Sequence, residues 1–528
     1  MENKKTKIIS IGAVVALALT VITATYAYFN AQVGDPAVAD IKINANTVDT
    51  FTFSNGSAIS FSINQDNFAS GAGNQTGSTY ASAMLTANNK TNTATEHYYM
   101  YLNIENNTFT YSINTNTPEI IMTVKNSVGN EVTDISTLNH VIVTGANGTQ
   151  VSGYDITNKS GLITIFDNRE ITTTSSKEEK WNITITFVNY DENQNANAGK
   201  SMSAKVMIQK EVIPQVVSDV CSNGTNLATC ITTLANKSIP SATNIYHHDS
   251  SLSNGAGDNS YRYAGASDVV NNFVCFGSNE STCPTDNLYR IIGVFGNQVK
   301  LIKYDYGTTD ELGTDGDYSK TYKEWGMDST YKGTYGDGER IGVYYWNNAT
   351  QTNTWSESLL NKTNLNTNFI NNIGTEWANK IATTTWKVGG NTYSNIYSKT
   401  PSVVYQNEIV NPVTANTTDN ATEYTAKIGL MYVSDYGFAA EPSAWTLTMG
   451  NYDNTTATST NWMYMGLYEW TFSRNADYSN TAFAVRSGGN VYNDYVYDGN
   501  AVRPSFSLLS SVTYSKGDGT QNSPIRIN

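Results

Sequence analysis

The chain has 528 residues, 46 acidic against 32 basic for a formal charge of −14, and only 15% charged residues, so Asn, Thr, Ser, Gly and 35 Tyr carry its polarity. That balance excludes a broad basic face for nucleic acid, a charge-rich disordered chain and an Ala/Glu/Lys/Leu coiled coil. The length implies two or three domains, and the amide- and hydroxyl-rich composition suits a protein exposed outside a cell.

Lys4, Lys5 and Lys7 precede an uncharged apolar run from Ile8 to Ala27. A run of about 20 residues spans a bilayer and equally serves as a secretion signal, with Thr25-Tyr26-Ala27 offering small residues for cleavage. Residues 1–30 are thus a signal peptide or an uncleaved signal-anchor. Both place the rest of the chain outside, secreted or held at the cell membrane by this segment. The stretch Thr25-Tyr-Ala-Tyr-Phe-Asn30 resembles the signal junction of camelysin and TasA-type matrix proteins of Gram-positive bacteria, which implies a bacterial source.

Residues 31–212 show period-two alternation. Phe51 and Phe53, then Asn55-Gly56, then Ile59, Phe61 and Ile63 predict a hairpin. Tyr98, Met100, Leu102 and Ile104 alternate, as do Trp181, Ile183, Ile185 and Phe187. Seven or more short strands without a convincing helix predict an all-β sandwich. The resemblance to matrix proteins implies a jelly-roll or immunoglobulin-like module.

Residues 213–260 read as a polar connector. The four cysteines fall nearby as Cys221/Cys230 and Cys275/Cys283, and an even number in an exported chain suggests disulfides, the short loops favouring sequential pairing. The spacing of zinc sites is absent. His247-His248-Asp249 lies in the same connector and is expected to be solvated rather than metal-binding.

Residues 261–528 predict an α+β domain holding most of the tryptophans. Leu288–Phe295, Gly296-Asn297 and Val299–Lys303 form a second hairpin pattern. Leu365, Phe369, Ile373, Trp377 and Ile381 recur at helical spacing, with Gly374 dividing two helices. Ile428–Val433 reads as a buried strand and Val502–Leu508 as a closing one. Asp315, Asp317, Asp337 and Glu339 read as turn residues, since the spacing of a calcium loop is missing.

Gly466-Leu-Tyr-Glu-Trp-Thr471, Ala484-Val-Arg-Ser-Gly-Gly489 and Ala501-Val-Arg-Pro-Ser-Phe506 resemble, in order, the Glu-Trp-Thr, Arg-Gly-Gly and Gly-Phe-Arg segments of formylglycine-generating-enzyme-like domains. The resemblance implies a C-type-lectin-like fold, with Trp470 and Arg503 as scaffold. It does not imply catalysis. Those enzymes use C-terminal cysteines, and none follows Cys283 here. Glu441-Pro442-Ser443 resembles the calcium triplet of true C-type lectins, but Ser stands in place of Asn and no Trp-Asn-Asp follows. No enzyme activity, cofactor or metal is therefore expected.

Residues 471–500 contain five Asn, four Tyr, three Ser and three Asp, half of the thirty. Tyr supplies rigid contact area and the short polar residues supply adaptable hydrogen bonds, the usage of antibody-type binding surfaces. The composition also resembles the variable region of proteins diversified by retroelements, with Phe483, Val485, Val491, Val496 and Val502 as framework. The expected contact residues are Arg474, Asn475, Asp477, Tyr478, Asn480, Asn490, Tyr492, Asn493, Asp494, Tyr495, Tyr497, Asp498 and Asn500. The expected protein is a surface adhesin or receptor for a protein or glycan ligand on another cell, a phage or a host surface. The alternative is a matrix or fibre subunit that self-assembles.

Overall fold

The computed structural model describes residues 49–64, 72–88, 92–135, 137–319, 341–413 and 422–528. The signal or anchor expected at residues 1–30 lies outside the described residues, as do Asp337 and Glu339. Among the described residues no helix is long and apolar enough to cross a membrane. The protein is β-rich and multidomain, and splits into two compact units, Met1–Ile213 and Pro214–Asn528.

The first unit contains β1 (Thr50–Asn55), β2 (Ile59–Ser62), β3 (Gln75–Thr86), β4 (Ala94–Asn107), β5 (Ile120–Asn126), β6 (His140–Thr144), β7 (Gln150–Asp155), β8 (Gly161–Thr173), β9 (Ser176–Phe187) and β10 (Ser201–Gln209). One antiparallel sheet has the order β1-β3-β9-β5-β7-β6 and the other β2-β10-β4-β8. Alternation along each strand sends every second side chain inward. Tyr98, Met100, Leu102 and Ile104 of β4 meet Trp181, Ile183, Ile185 and Phe187 of β9 in one core shared by both sheets. Polar groups inside it are matched. Trp181 Nε1 donates to the Tyr98 hydroxyl at 2.8 Å, which donates to Glu179 at 2.7 Å. The buried Glu119 carboxylate accepts from Gln194 Nε2 at 2.7 Å and Asn197 Nδ2 at 2.8 Å.

The hairpin expected around Asn55-Gly56 does not form. β1 pairs with β3 and β2 with β10, so the dipeptide is where the chain crosses from one sheet to the other. Gly56 N–H donates to Tyr80 O at 2.8 Å, and Asn55 Nδ2 reaches Val206 O at 3.0 Å on the opposite sheet. A Cβ at Gly56 would sit 2.7 Å from Thr79 Oγ1, so close approach rather than positive φ calls for glycine here.

The second unit begins at Pro214, and residues 213–260 are not a connector. The helix Leu227–Lys237 is capped by Asn226, whose side chain accepts from Thr229 N–H at 3.0 Å. It buries Leu227, Cys230, Ile231 and Leu234 in the unit's main core. β11 (Ile245–His248), β12 (Ser260–Tyr263), β13 (Phe273–Cys275), β14 (Leu288–Phe295) and β15 (Gln298–Lys303) then build the first sheet. β16 (Val343–Tyr344), β17 (Thr384–Lys387), β18 (Gly390–Asn391), β19 (Glu423–Ala426), β20 (Glu469–Asn475), β21 (Thr481–Val485), β22 (Val491–Tyr495), β23 (Asn500–Ala501) and β24 (Ser505–Ser507) follow. The main orders are β11-β12-β14-β15-β24 and β16-β23-β20-β21-β22, while β17 and β19 pair as a separate ribbon.

β14 and β15 form the expected hairpin, with Gly296 at φ 62° in the turn. The helical stretch is wide-bonded over Leu360–Phe369, runs on to Asn372, and breaks at Gly374 (φ 80°) before Thr375–Ala378. Ile428–Val433 is not a regular strand. Gly429 makes a single bridge to Ser505, and the chain turns helical at Val433–Ala439. A run of buried apolar residues does not by itself distinguish these states.

The cysteines join sequentially, Cys221 to Cys230 and Cys275 to Cys283, which agrees with an oxidising compartment. A bridge closing so short a loop contributes about 3 kcal/mol. Replacing both Cys221 and Cys230 by serine is expected to lower the urea midpoint of the second unit's transition by that equivalent and leave the first unit's unchanged, followed by tryptophan fluorescence and far-UV circular dichroism of the full chain.

Candidate functional site

The three motif segments near the C-terminus form one scaffold. Glu469 accepts from Arg503 Nε at 2.7 Å and Nη2 at 2.9 Å, a buried bidentate pair. Trp470 Nε1 donates to Tyr344 O at 2.9 Å, and Thr471 Oγ1 to Phe483 O at 2.7 Å. Ala484-Val485 ends β21 and Arg486–Gly489 makes the turn into β22, with Arg486 N–H donating to Asn490 O at 2.9 Å and Gly489 at φ 99°. Phe483, Val485, Val491, Val496 and Val502 are all buried.

On this scaffold residues 471–500 are largely sheet rather than loop, and three of the thirteen expected contact residues are not at the surface. Arg474, Asn475 and Asn500 are 0% exposed. β20 is covered on both faces, so every residue along it is buried. Asn475 Nδ2 donates to Thr481 Oγ1 at 2.9 Å and its Oδ1 accepts from Asp477 N–H, which shapes the turn. Asn500 Nδ2 donates to Asp494 Oδ2 at 3.2 Å.

The other ten, Asp477, Tyr478, Asn480, Asn490, Tyr492, Asn493, Asp494, Tyr495, Tyr497 and Asp498, retain solvent exposure. They do not lie on one face. Parity along β22 puts Tyr492 and Asp494 on one side and Asn493 and Tyr495 on the other. Tyr478 is 59% and Tyr495 46% exposed. Tyr495 stacks on Tyr497, centroids 5.1 Å apart, and Val496 N–H donates to Asn480 O at 3.0 Å, drawing the 477–480 turn alongside. Tyr492 faces a second group: the Arg486 guanidinium lies 3.7 Å over its ring and Tyr397 meets it edge-on at 6.4 Å.

Tyr397 and Asn353 carried no sequence signal. Asn353 holds the 475–481 turn from inside, its Nδ2 donating to Asn475 O at 2.8 Å, Tyr478 O at 3.0 Å and Thr481 O at 2.9 Å.

Beneath the surface the ionisable groups are mostly matched. Asp435 accepts from Arg262 and Lys300, and Arg262 also reaches Asp258 at 2.6 Å. Arg290 donates to Asn272, Ser267 and Val270 O. Arg474 differs, because its Nε and Nη2 have no hydrogen-bond partner, and burial lowers its pKa to about 10. Glu408, between Ser473 Oγ and Ser434 N–H, is pushed up to about 7 by burial, with Asp435 adding to the effect.

His248 is not solvated. It packs against Phe438 and Trp445, its Nδ1 accepts from Ala256 N–H at 3.0 Å, and burial with nearby Arg262 pushes it down to about 2. A ring held neutral to that pH is no general base near neutrality. His247 stacks on Tyr261 and bonds Asn259. Asp317 is a buried structural acceptor, taking Asn348 N–H at 3.0 Å and the Leu359 and Leu360 N–H groups at 2.8 Å. Among the described residues no cluster of His, Cys, Asp and Glu could hold a metal ion. No protein-family model matches the chain, and no curated protein is significantly similar to it.

Glu408 gives a pH dependence with a definite sign. Its folded pKa lies above the ordinary 4.5, so the folded state holds the proton more tightly than the unfolded state. The resulting stability is complete below about pH 4.5 and is lost as pH rises through about 7, a change of about 3 kcal/mol. Calorimetry of the full chain across this window should show the second unit's melting temperature declining with pH, and Glu408→Gln should flatten that decline.

Proposed function

We propose that the chain is an exported bacterial surface protein, an adhesin or receptor, whose second unit is a C-type-lectin-like domain binding a protein or glycan on another surface. The first unit, of jelly-roll or immunoglobulin-like type, would project it. The carrying observation is the exposed aromatic edge at Tyr478, Tyr495 and Tyr497, set on buried framework residues. Tyr495 at the end of β22 and Tyr497 just beyond it are already stacked on one another, so they lose little conformational entropy on contact. The buried Glu469–Arg503 pair supports the lectin-like reading, since it gives the motif residues a joint structural role.

The matrix-subunit reading is favoured by a different observation. β6 ends its sheet, and Ile142 on it is 65% exposed, a combination that invites pairing with another chain.

The triple substitution Tyr478→Ala, Tyr495→Ala, Tyr497→Ala is expected to leave far-UV circular dichroism and melting unchanged. It should abolish retention of the full chain on a glycan array or on intact cells that hold the wild type. Retention unchanged by the substitution would remove this face as the contact surface. If the region is diversified, sequencing the gene across a natural population should show substitutions at the ten exposed positions and none at Arg474, Asn475 or Asn500. Variation spread evenly over both groups would count against diversification.

A further inference from the structure

One lysine–carboxylate pair of the second unit is cut off from water on both sides. Lys300 of β15 meets Asp435, in the first turn of the helix Val433–Ala439, with Nζ 2.5 Å from Oδ2, and both residues are buried. The other such pairs among the described residues keep a partner in contact with solvent. Lys303 is buried, but its partner Glu311 is 17% exposed and also accepts from Thr308 N–H. In the pairs made by Lys177, Lys205, Lys210 and Lys387 the lysine is exposed.

Three aromatic rings close around the Lys300 nitrogen, with centroids at 4.6 Å for Tyr432, 5.3 Å for Trp386 and 5.7 Å for Phe295. Such rings favour an ammonium, and so does Asp435. Burial outweighs them, and the pKa of Lys300 lies below its ordinary value. In water an amine and a carboxyl do not condense readily, because hydration holds both as ions. At this site that hydration has been removed.

The carboxyl is also held in position. Tyr432 N–H donates to Oδ2 at 3.0 Å and Arg262 Nη1 to Oδ1 at 3.3 Å. With Nζ in contact with Oδ2, its distance to Cγ exceeds that contact by at most one C–O bond length, near the about 3–3.5 Å of a reactive pair. The charges balance as well. Arg262 has Asp258 as its own counterion at 2.6 Å, so losing the charges of Lys300 and Asp435 strands no ion. Glu408 is engaged elsewhere, by Ser473 Oγ and Ser434 N–H.

We propose that Lys300 and Asp435 condense after folding into an isopeptide bond that ties β15 covalently to the helix Val433–Ala439. The ammonium first passes one proton to Oδ2. The amine lone pair then attacks Cγ, and the electron pair displaced onto Oδ1 is stabilised by the Arg262 guanidinium. As the carbonyl re-forms, Oδ2 takes a second proton from the nitrogen, the Cγ–Oδ2 bond breaks and one water leaves. Two of the three ammonium protons depart in that water, and the third stays as the amide N–H. No oxidant, reductant or activating group is consumed, and two buried charges become one neutral amide. The bond spans 135 positions of sequence, so tension carried through it bypasses the chain between. The site is separate from the tyrosine edge and does not depend on the surface-binding reading.

The test is mass spectrometry of the full chain, reduced and denatured after purification in its folded form, beside Lys300→Arg. The variant keeps a cation against Asp435 but has no nucleophilic amine. Once the substitution itself is allowed for, the wild type should be lighter than the variant by one water. A tryptic digest of the wild type should contain Ile291–Lys303, uncut after Lys300, joined to Ile428–Arg474. The wild-type digest decides the matter by itself if the variant does not fold. Recovery of Ile291–Lys300 and Ile428–Arg474 as separate peptides from folded wild type would overturn the proposal. So would a water loss confined to a single peptide, as a succinimide gives, or a joined pair that persists in Lys300→Arg.

Discussion

A backbone N–H or C=O buried without a partner costs about 1–3 kcal/mol, and a domain with as much irregular chain as Pro214–Asn528 meets that cost again and again. Regular ladders cannot cancel it where the chain neither pairs as a strand nor coils as a helix. Side-chain amides do so instead. Asn364 donates to Leu312 O and Asp315 O while accepting from Asp317 N–H. Asn366 does the same for Asn361 O and Ile428, and Asn461 for Tyr436 O and Met463 N–H. Each amide offers two donors and an acceptor, so one residue fastens two or three passages of chain. The tyrosine edge depends on this as well, because Asn353 fixes the turn on which Tyr478 stands.

Charges follow the same logic more sparingly. Asp435 draws Arg262 of β12 and Lys300 of β15 to one carboxylate, and Glu469 draws Arg503 to β20. Breaking such a pair by deleting one member leaves the other charge buried and alone. Arg474 and Glu408 are the exceptions, one cation without an acceptor and one carboxyl driven towards its neutral form. The second is the basis for assigning a pH response.

Local signals in the sequence proved readable where the determining contacts are local. The Gly296 turn between β14 and β15, the helix break at Gly374 and the inward valines around β22 all follow from neighbours within a few residues. The Asn55-Gly56 turn misled because a dipeptide specifies a change of direction but not the sheet that receives the next strand. Residues 213–260 looked like linker because their polar majority masks five inward positions on the helix Leu227–Lys237. Arg474 and Asn475 looked like surface because their residue types usually are, whereas β20 is covered on both sides by segments remote in sequence. Tyr397 reaches Tyr492 from 95 positions earlier in the chain, a separation that no periodicity reports.

The reliance on amides gives the molecule a chemical clock. Hydrolysis of one asparagine side chain replaces an NH2 group by a carboxylate oxygen, so two donors become acceptors and a negative charge appears. At Asn353 that single change would turn three hydrogen bonds to backbone carbonyls into three repulsions inside a closed space. Asn55 is more exposed to such ageing, since the glycine that follows it offers little steric hindrance to ring closure by the backbone nitrogen, and its amide is one of the stitches between the two sheets. The durability of the folded chain is therefore set by spontaneous deamidation at its internal fasteners as well as by its folding free energy.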